Sequence, residues 1–154
     1  EFNLRGALVA AQVLQPDIAI QLDLLLATDT PDMAYRGDVT LGGGPAMSLY
    51  SFHGRGTLNG TIPHPALVKL FEQSAQQIDV PLQRSAHTGA LTDSSYVQLV
   101  GQGVACIDVG FPMRYSHSSL EVCDLGDLEA LTTLLAKAIT SVDAGFSLNR
   151  DDYE

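Results

Sequence analysis

At 154 residues the chain has the length of one domain and enough material to bury a sizeable core. Hydrophobic residues make up 45% and charged ones only 17%, which excludes a disordered chain, and no apolar run approaches the roughly 20 residues of a membrane span. Eighteen acidic against eight basic residues leave a net charge of −10, a balance that repels phosphate backbones and excludes nucleic acid as a natural partner. The sequence opens directly in a helical pattern over residues 4–14, with Leu4, Ala7, Leu8, Ala11 and Leu14 on one face and Pro16 as its stop. That opening reads as the interior of a longer domain, and no basic n-region or small-residue cleavage site is visible.

Residues 18–27 form a strand too apolar to have a solvent-facing side, as in a sheet covered on both faces. Residues 30–44 are turn-rich, and Gly42-Gly43-Gly44-Pro45 leads into a short strand at 46–51. A glycine-rich loop follows over 52–62. Pro63 then sits near the start of a helix whose face carries Leu67, Leu70, Phe71, Ser74, Ala75 and Ile78. The pattern next predicts a short strand at 81–86, a helix at 92–100, a buried strand at 104–109, a helix at 125–142 and a frayed acidic tail at 149–154. Strands alternating with helices predict a three-layer α/β/α sandwich around a mixed, largely parallel sheet, without internal repeats or linkers.

Several chemistries are absent. The sequence has no Gly-x-Ser-x-Gly elbow and no Walker loop. Cys106 and Cys123 fit neither a zinc ribbon nor a Cys-x-x-Cys motif, and they suit a reducing, cytoplasmic setting. Asn59-Gly60-Thr61 is formally a glycosylation sequon but reads as an Asn-Gly turn, and Gly42 to Gly44 reads as a tight turn or an anion nest. His53, His64 and His87 lie in or near loops with no metal-ligand spacing between them.

Two residues stand out because they follow buried strands, where open α/β sheets place their ligands. Asp29 opens Asp29-Thr30-Pro31 after the first strand, and His117 lies in Arg114-Tyr115-Ser116-His117-Ser118-Ser119-Leu120-Glu121 after the last. Taken alone, Asp29 is an ordinary turn former and His117 an ordinary surface histidine. Thr92 and Asp93 read as caps of the following helix.

Five elements in order carry a resemblance across nearly the whole chain. They are Glu1-Phe2-Asn3-Leu4-Arg5-Gly6-Ala7, Asp23 through Asp29-Thr30-Pro31, Gly42-Gly43-Gly44-Pro45, Thr92-Asp93, and Arg114-Tyr115-x-His117-Ser118-x-x-Glu121. In this order the chain resembles the C-terminal half of the catalytic domain of TET-type aminopeptidases, the glutamyl aminopeptidase, deblocking aminopeptidase and cellulase M group, including paralogues encoded with sugar-uptake genes. Asn3, Asp32 and Ala90-Leu91 stand where glycines are usual in that family.

The resemblance implies a dinuclear metal-dependent aminopeptidase, with two zinc, cobalt or manganese ions per subunit acting on peptide N-termini. It implies Asp29 as a terminal ligand of one metal and Glu1 and His117 as ligands of the other. The general-base Glu is expected immediately before Glu1, so the chain carries no catalytic base and is expected to be inactive alone. Thr92, Asp93, Arg114 and Tyr115 are the expected substrate-binding residues. The resemblance further implies a homo-oligomer, a tetrahedral dodecamer, for which the 52–65 loop is the candidate contact or chamber lining. The alternatives are a glycoside hydrolase, which needs two carboxylates and no metal, and a non-catalytic paralogue associated with sugar uptake.

Overall fold

The computed structural model describes residues 4–153. The first helix, α1, spans Arg5–Leu14 and hands over through Pro16 to β1, Ile18–Leu26. After a turn-rich segment come β2, Ala46–Phe52, and the two-residue β3, Gly60–Thr61, which closes back on β2 as a hairpin. Helix α2, Pro65–Gln77, starts with proline in its first turn and with the His64 ring accepting the Ala66 N–H as a cap. Strand β4, Gln83–Thr88, and the single turn α3, Ser94–Val97, precede the long strand β5, Ala105–Arg114. A short β6, Val122–Cys123, and helix α4, Leu125–Thr140, complete the main body, and a 3-10 turn, Arg150–Tyr153, closes the described chain.

The sheet is mixed, as its sequence pattern predicts. Its two long ladders, β1·β5 and β2·β4, are parallel, and the short pairings β2·β5, β2·β3 and β5·β6 are antiparallel. Strand alternation divides the core between two faces. Met47, Ile107 and Val109 pack against Leu67, Leu70 and Phe71 of α2 and Leu131, Leu134 and Ala138 of α4. On the other face Cys106 and Ala19 meet Ala7, Leu8 and Ala11 of α1 and Val97 of α3. Three layers result.

β1 lies at the end of the strand order and, among the described residues, pairs with β5 alone. At Gly110 the two backbones approach so closely that an added Cβ would sit 1.6 Å from the Asp23 carbonyl oxygen.

Four boundaries depart from the sequence reading. β5 runs five residues beyond the expected Val109, because Phe111 to Arg114 continue the ladder with β1 and then with β6. The expected helix at 92–100 contracts to one turn: after Val97 the Leu99 and Val100 N–H groups bond the Tyr96 and Val97 carbonyls three residues back, and before it the Thr92 hydroxyl turns inward to Asp108 instead of capping. β4 begins at Gln83, whose N–H bonds the Pro45 carbonyl. The tail is not frayed at 150–153: the Tyr153 hydroxyl bonds the Ser147 carbonyl and Lys69 lies over its ring. Asn59, the sequon residue, donates its side-chain amide to the Ser95 carbonyl.

Candidate metal and substrate site

Parallel pairing of β1 with β5 brings the chain leaving each strand to the same end of the sheet. The Ala27 N–H still bonds the Met113 carbonyl at 2.9 Å, and one step further the side chains meet. Arg114 donates Nε to Asp29 Oδ1 and Nη2 to Asp29 Oδ2, each at 2.7 Å. The Leu41 N–H adds a third bond to Asp29 Oδ2. The Arg114 hydrogen bonds hold the Asp29 carboxyl below its usual range, with the Leu41 N–H acting in the same direction and partial burial opposing both. The carboxylate expected to face a metal is therefore already occupied by a cation. A divalent ion placed on it would lie beside a guanidinium and repel it.

Beyond Arg114 the backbone turns sharply. Tyr115 and His117 both take left-handed conformations, with φ of 61° and 63°, although neither is glycine. Each such residue costs about 1–2 kcal/mol unless its surroundings enforce it. Here the Ser118 N–H bonds the Tyr115 carbonyl, and the His117 N–H donates to Glu121 Oε1 at 2.7 Å. The His117 side chain itself is exposed.

On the α1/α3 face Asp108 is only 2% exposed. Burial pushes its carboxyl up, the Ser94 and Thr92 hydroxyls pull it part of the way back, and the charges of Asp23 and Asp93 push it up further. Thr92 Oγ1 donates to Asp108 Oδ2 at 2.8 Å, whereas Asp108 Oδ1 and Ser94 Oγ make no bond of good geometry among the described residues. Asp23 is exposed and accepts the Gln21 side-chain amide and the Leu24 N–H. Sequence reading treated Asp23 merely as the first position of the Asp-x-x-x-x-x-Asp motif. Its mid-strand placement, a charge in an otherwise apolar run, was the signal that could have singled it out.

The remaining histidines serve the fold. His64 caps α2, and burial with the nearby Arg150 charge lowers its pKa. His53 accepts the Gly56 N–H, and His87 is half-buried beside Ser85. Cys106 is no nucleophile, since burial first and the Asp108 charge second push its thiol up to about 12. Glu1 lies outside the described residues.

Carboxylate and imidazole are donors that divalent ions accept, so the donor set fits such an ion in kind. It does not fit in number, because no three His, Cys, Asp or Glu side chains converge among the described residues. The described part can contribute ligands to a shell but cannot close one.

The M42 glutamyl aminopeptidase profile matches residues 1–134. The chain belongs to that family. It is 35% identical over 151 residues to SgcX of Escherichia coli (strain K12), covering 98% of this chain and 40% of SgcX. Its fold is similar to a TET aminopeptidase from the marine sediment archaeon Thaumarchaeota archaeon SCGC AB-539-E09, with a TM-score of 0.84 and 26% identity over 98% of this chain and 40% of that one. It is also similar to the Pyrococcus horikoshii TET1 peptidase, which can assemble into a tetrahedron or a large octahedral shell, with a TM-score of 0.72 and 26% identity over 88% of this chain and 36% of that one. The chain thus spans about 40% of the length of the curated relatives it matches. The family match favours an aminopeptidase over the glycosidase alternative.

Proposed function

We propose that the chain is the C-terminal portion of a dinuclear metal-dependent aminopeptidase, to which it supplies terminal metal ligands and substrate-facing surface. The observation that most supports this is the parallel β1·β5 pairing, which carries the exits of both strands to one end of the sheet, taken with the family match. In this reading Glu1 and His117 serve one ion. Asp23, rather than Asp29, serves the other. Asp29 is neutralised by Arg114, while Asp23 is exposed and its carboxylate is engaged by the Gln21 amide and the Leu24 N–H, neither of which cancels its charge.

Divalent zinc, cobalt or manganese bound there would polarise a peptide carbonyl and supply a nucleophilic water near neutral pH. No residue of the chain is assigned the proton transfer, so the 154 residues alone are expected to be inactive on aminoacyl-anilides. Among the expected substrate-binding residues, Arg114 is committed to Asp29 and the Thr92 hydroxyl to Asp108. Tyr115, 58% exposed, would flank a peptide.

Metal stoichiometry of the full-length protein tests the assignment. His117→Ala and Asp23→Ala should each lose close to one equivalent, whereas Asp29→Asn, His53→Ala and His64→Ala should retain full occupancy at saturating metal. Loss of an equivalent from Asp29→Asn with none from Asp23→Ala would return the role to Asp29.

The reading also includes homo-oligomeric assembly in a cytoplasmic setting. Leu58 and Ile62, 89% and 68% exposed on the 52–65 loop, are apolar surface that closed symmetry would cover. Light scattering of the full-length protein should give a closed oligomer, and a monomer at micromolar concentration would remove this part alone. Two free thiols and no helix long and apolar enough to cross a membrane among the described residues are compatible with that setting.

A further inference from the structure

We infer that Asp29, Arg114 and Glu121 are positioning residues that hold His117 in a ligand-presenting conformation. Asp29 and Arg114 fix the root of the 115–121 loop, and Glu121 fixes its interior. The inference rests on the reading of His117 as a metal ligand.

The argument begins at the last residue of β5. Arg114 grips Asp29 through two parallel bonds of 2.7 Å, a planar fork that sets direction as well as distance. The receiving carboxylate cannot swing, because the Leu41 N–H holds it from another side. A fork that merely tied β1 to β5 would be redundant: nine registered pairs and the bond from Ala27 to Met113 already join these strands. What the fork adds is a fixed starting direction for the residues that follow.

Those residues need one. Within three positions of Arg114 the chain enters the left-handed region twice, at Tyr115 and His117, without a glycine. Non-glycine residues persist there only when the surroundings over-determine them. The surroundings are the Ser118-to-Tyr115 backbone bond and the carboxylate of Glu121, which accepts the His117 N–H at 2.7 Å. The His117 imidazole is exposed yet mounted on a main chain fixed at both ends, so it gives up little conformational freedom on binding an ion. Asp29 thereby acts through Arg114 on His117 without touching the metal.

Hydrogen exchange and cobalt calorimetry on the full-length, metal-free protein test this in the variants Arg114→Lys, Glu121→Ala and Glu121→Gln. Lysine keeps the charge but loses the fork. Alanine removes the acceptor for the His117 N–H, and glutamine keeps one. We expect the 115–121 amides to exchange at least about tenfold faster in Arg114→Lys and Glu121→Ala, with α2 unchanged. Cobalt affinity should fall about tenfold at unchanged stoichiometry, and Glu121→Gln should restore both readouts. Glu121 is exposed, so its variants fold even if an Arg114 substitution does not. Unchanged loop exchange and affinity in Glu121→Ala would overturn the positioning role, as would failure of Glu121→Gln to rescue. Full metal stoichiometry in His117→Ala would instead remove the ligand reading, so the two failures are distinguishable.

Discussion

Replacing Asp127 with alanine should cost about 3 kcal/mol of stability, far more than an ordinary helix-cap change. Asp127 lies in the first turn of α4, is 2% exposed, and forms no ion pair among the described residues. Its carboxylate instead accepts the Gly42 N–H at 2.9 Å and the Gly44 N–H at 2.8 Å. Gly42 and Gly44 have φ of 72° and 92°, a conformation that turns both N–H groups toward one point. The nest foreseen in the glycine run thus takes an anion from the chain's own helix. In Asp127→Ala the buried Gly44 N–H loses its acceptor and bears a desolvation penalty of about 1–3 kcal/mol, while Gly42, being exposed, can recover a water and loses about 1. The lost charge at the helix N-terminus adds roughly 0.3–1 kcal/mol. Asp127→Asn, which keeps one acceptor oxygen, should lose about half of the total. The internal control is Asp124→Ala: Asp124 is exposed and caps the same helix through the Gly126 N–H at 2.7 Å, so its loss should cost only about 1 kcal/mol. Urea unfolding with a common m-value measures all three. A cost for Asp127→Ala no larger than for Asp124→Ala would refute the account of the nest.

Two further outcomes follow from the same packing. Burial raises the Asp108 carboxyl, so the folded state keeps a proton that the unfolded chain releases above about pH 4; stability is full below that pH and falls as pH rises toward the folded value. Asp108→Asn should remove this slope, and its melting temperature should gain on wild type between pH 4 and 7; a pH-independent difference would contradict the sign. Gly110→Ala should cost about 3 kcal/mol or more, because the new methyl would meet the Asp23 carbonyl and force β1 from β5. A thermal melt within a degree of wild type would show that the ladder yields more easily than its geometry implies.

Much of the architecture was legible in apolar periodicity. The start of β5 announced a buried strand, and Leu67, Leu70 and Phe71 announced the face of α2 that packs on it. Residues 18–26 form the expected strand but not the expected burial, since β1 lies at the end of the strand order with Leu22 and Asp23 exposed. Boundaries failed where a side chain chose a distant partner over a local one. Thr92 has the residue type of a cap and instead donates its hydroxyl to Asp108, in front of a helix of one turn. The extension of β5 was hidden by Pro112, which a buried strand rarely contains but which this ladder accommodates. At the site, motif order singled out Asp29 and His117, but only coordinates reveal that Asp29 is already paired with Arg114. Spacing along a chain states which groups approach one region; it does not state which of them find each other first.

The position of β1 has a practical consequence. One side of the strand is committed to β5, and among the described residues no strand takes up the other. That free edge is nine residues long and apolar except for Gln21 and Asp23, with Leu22 half-exposed. Beside it, α1 shows Val13 and Leu14 to solvent, 78% and 75% exposed. An unpaired, hydrophobic ladder edge is a template for any extended chain, including a second copy. Prepared alone at high concentration, these 154 residues would tend to add strand to strand through β1, with Asp23 as the main gatekeeper charge on that edge.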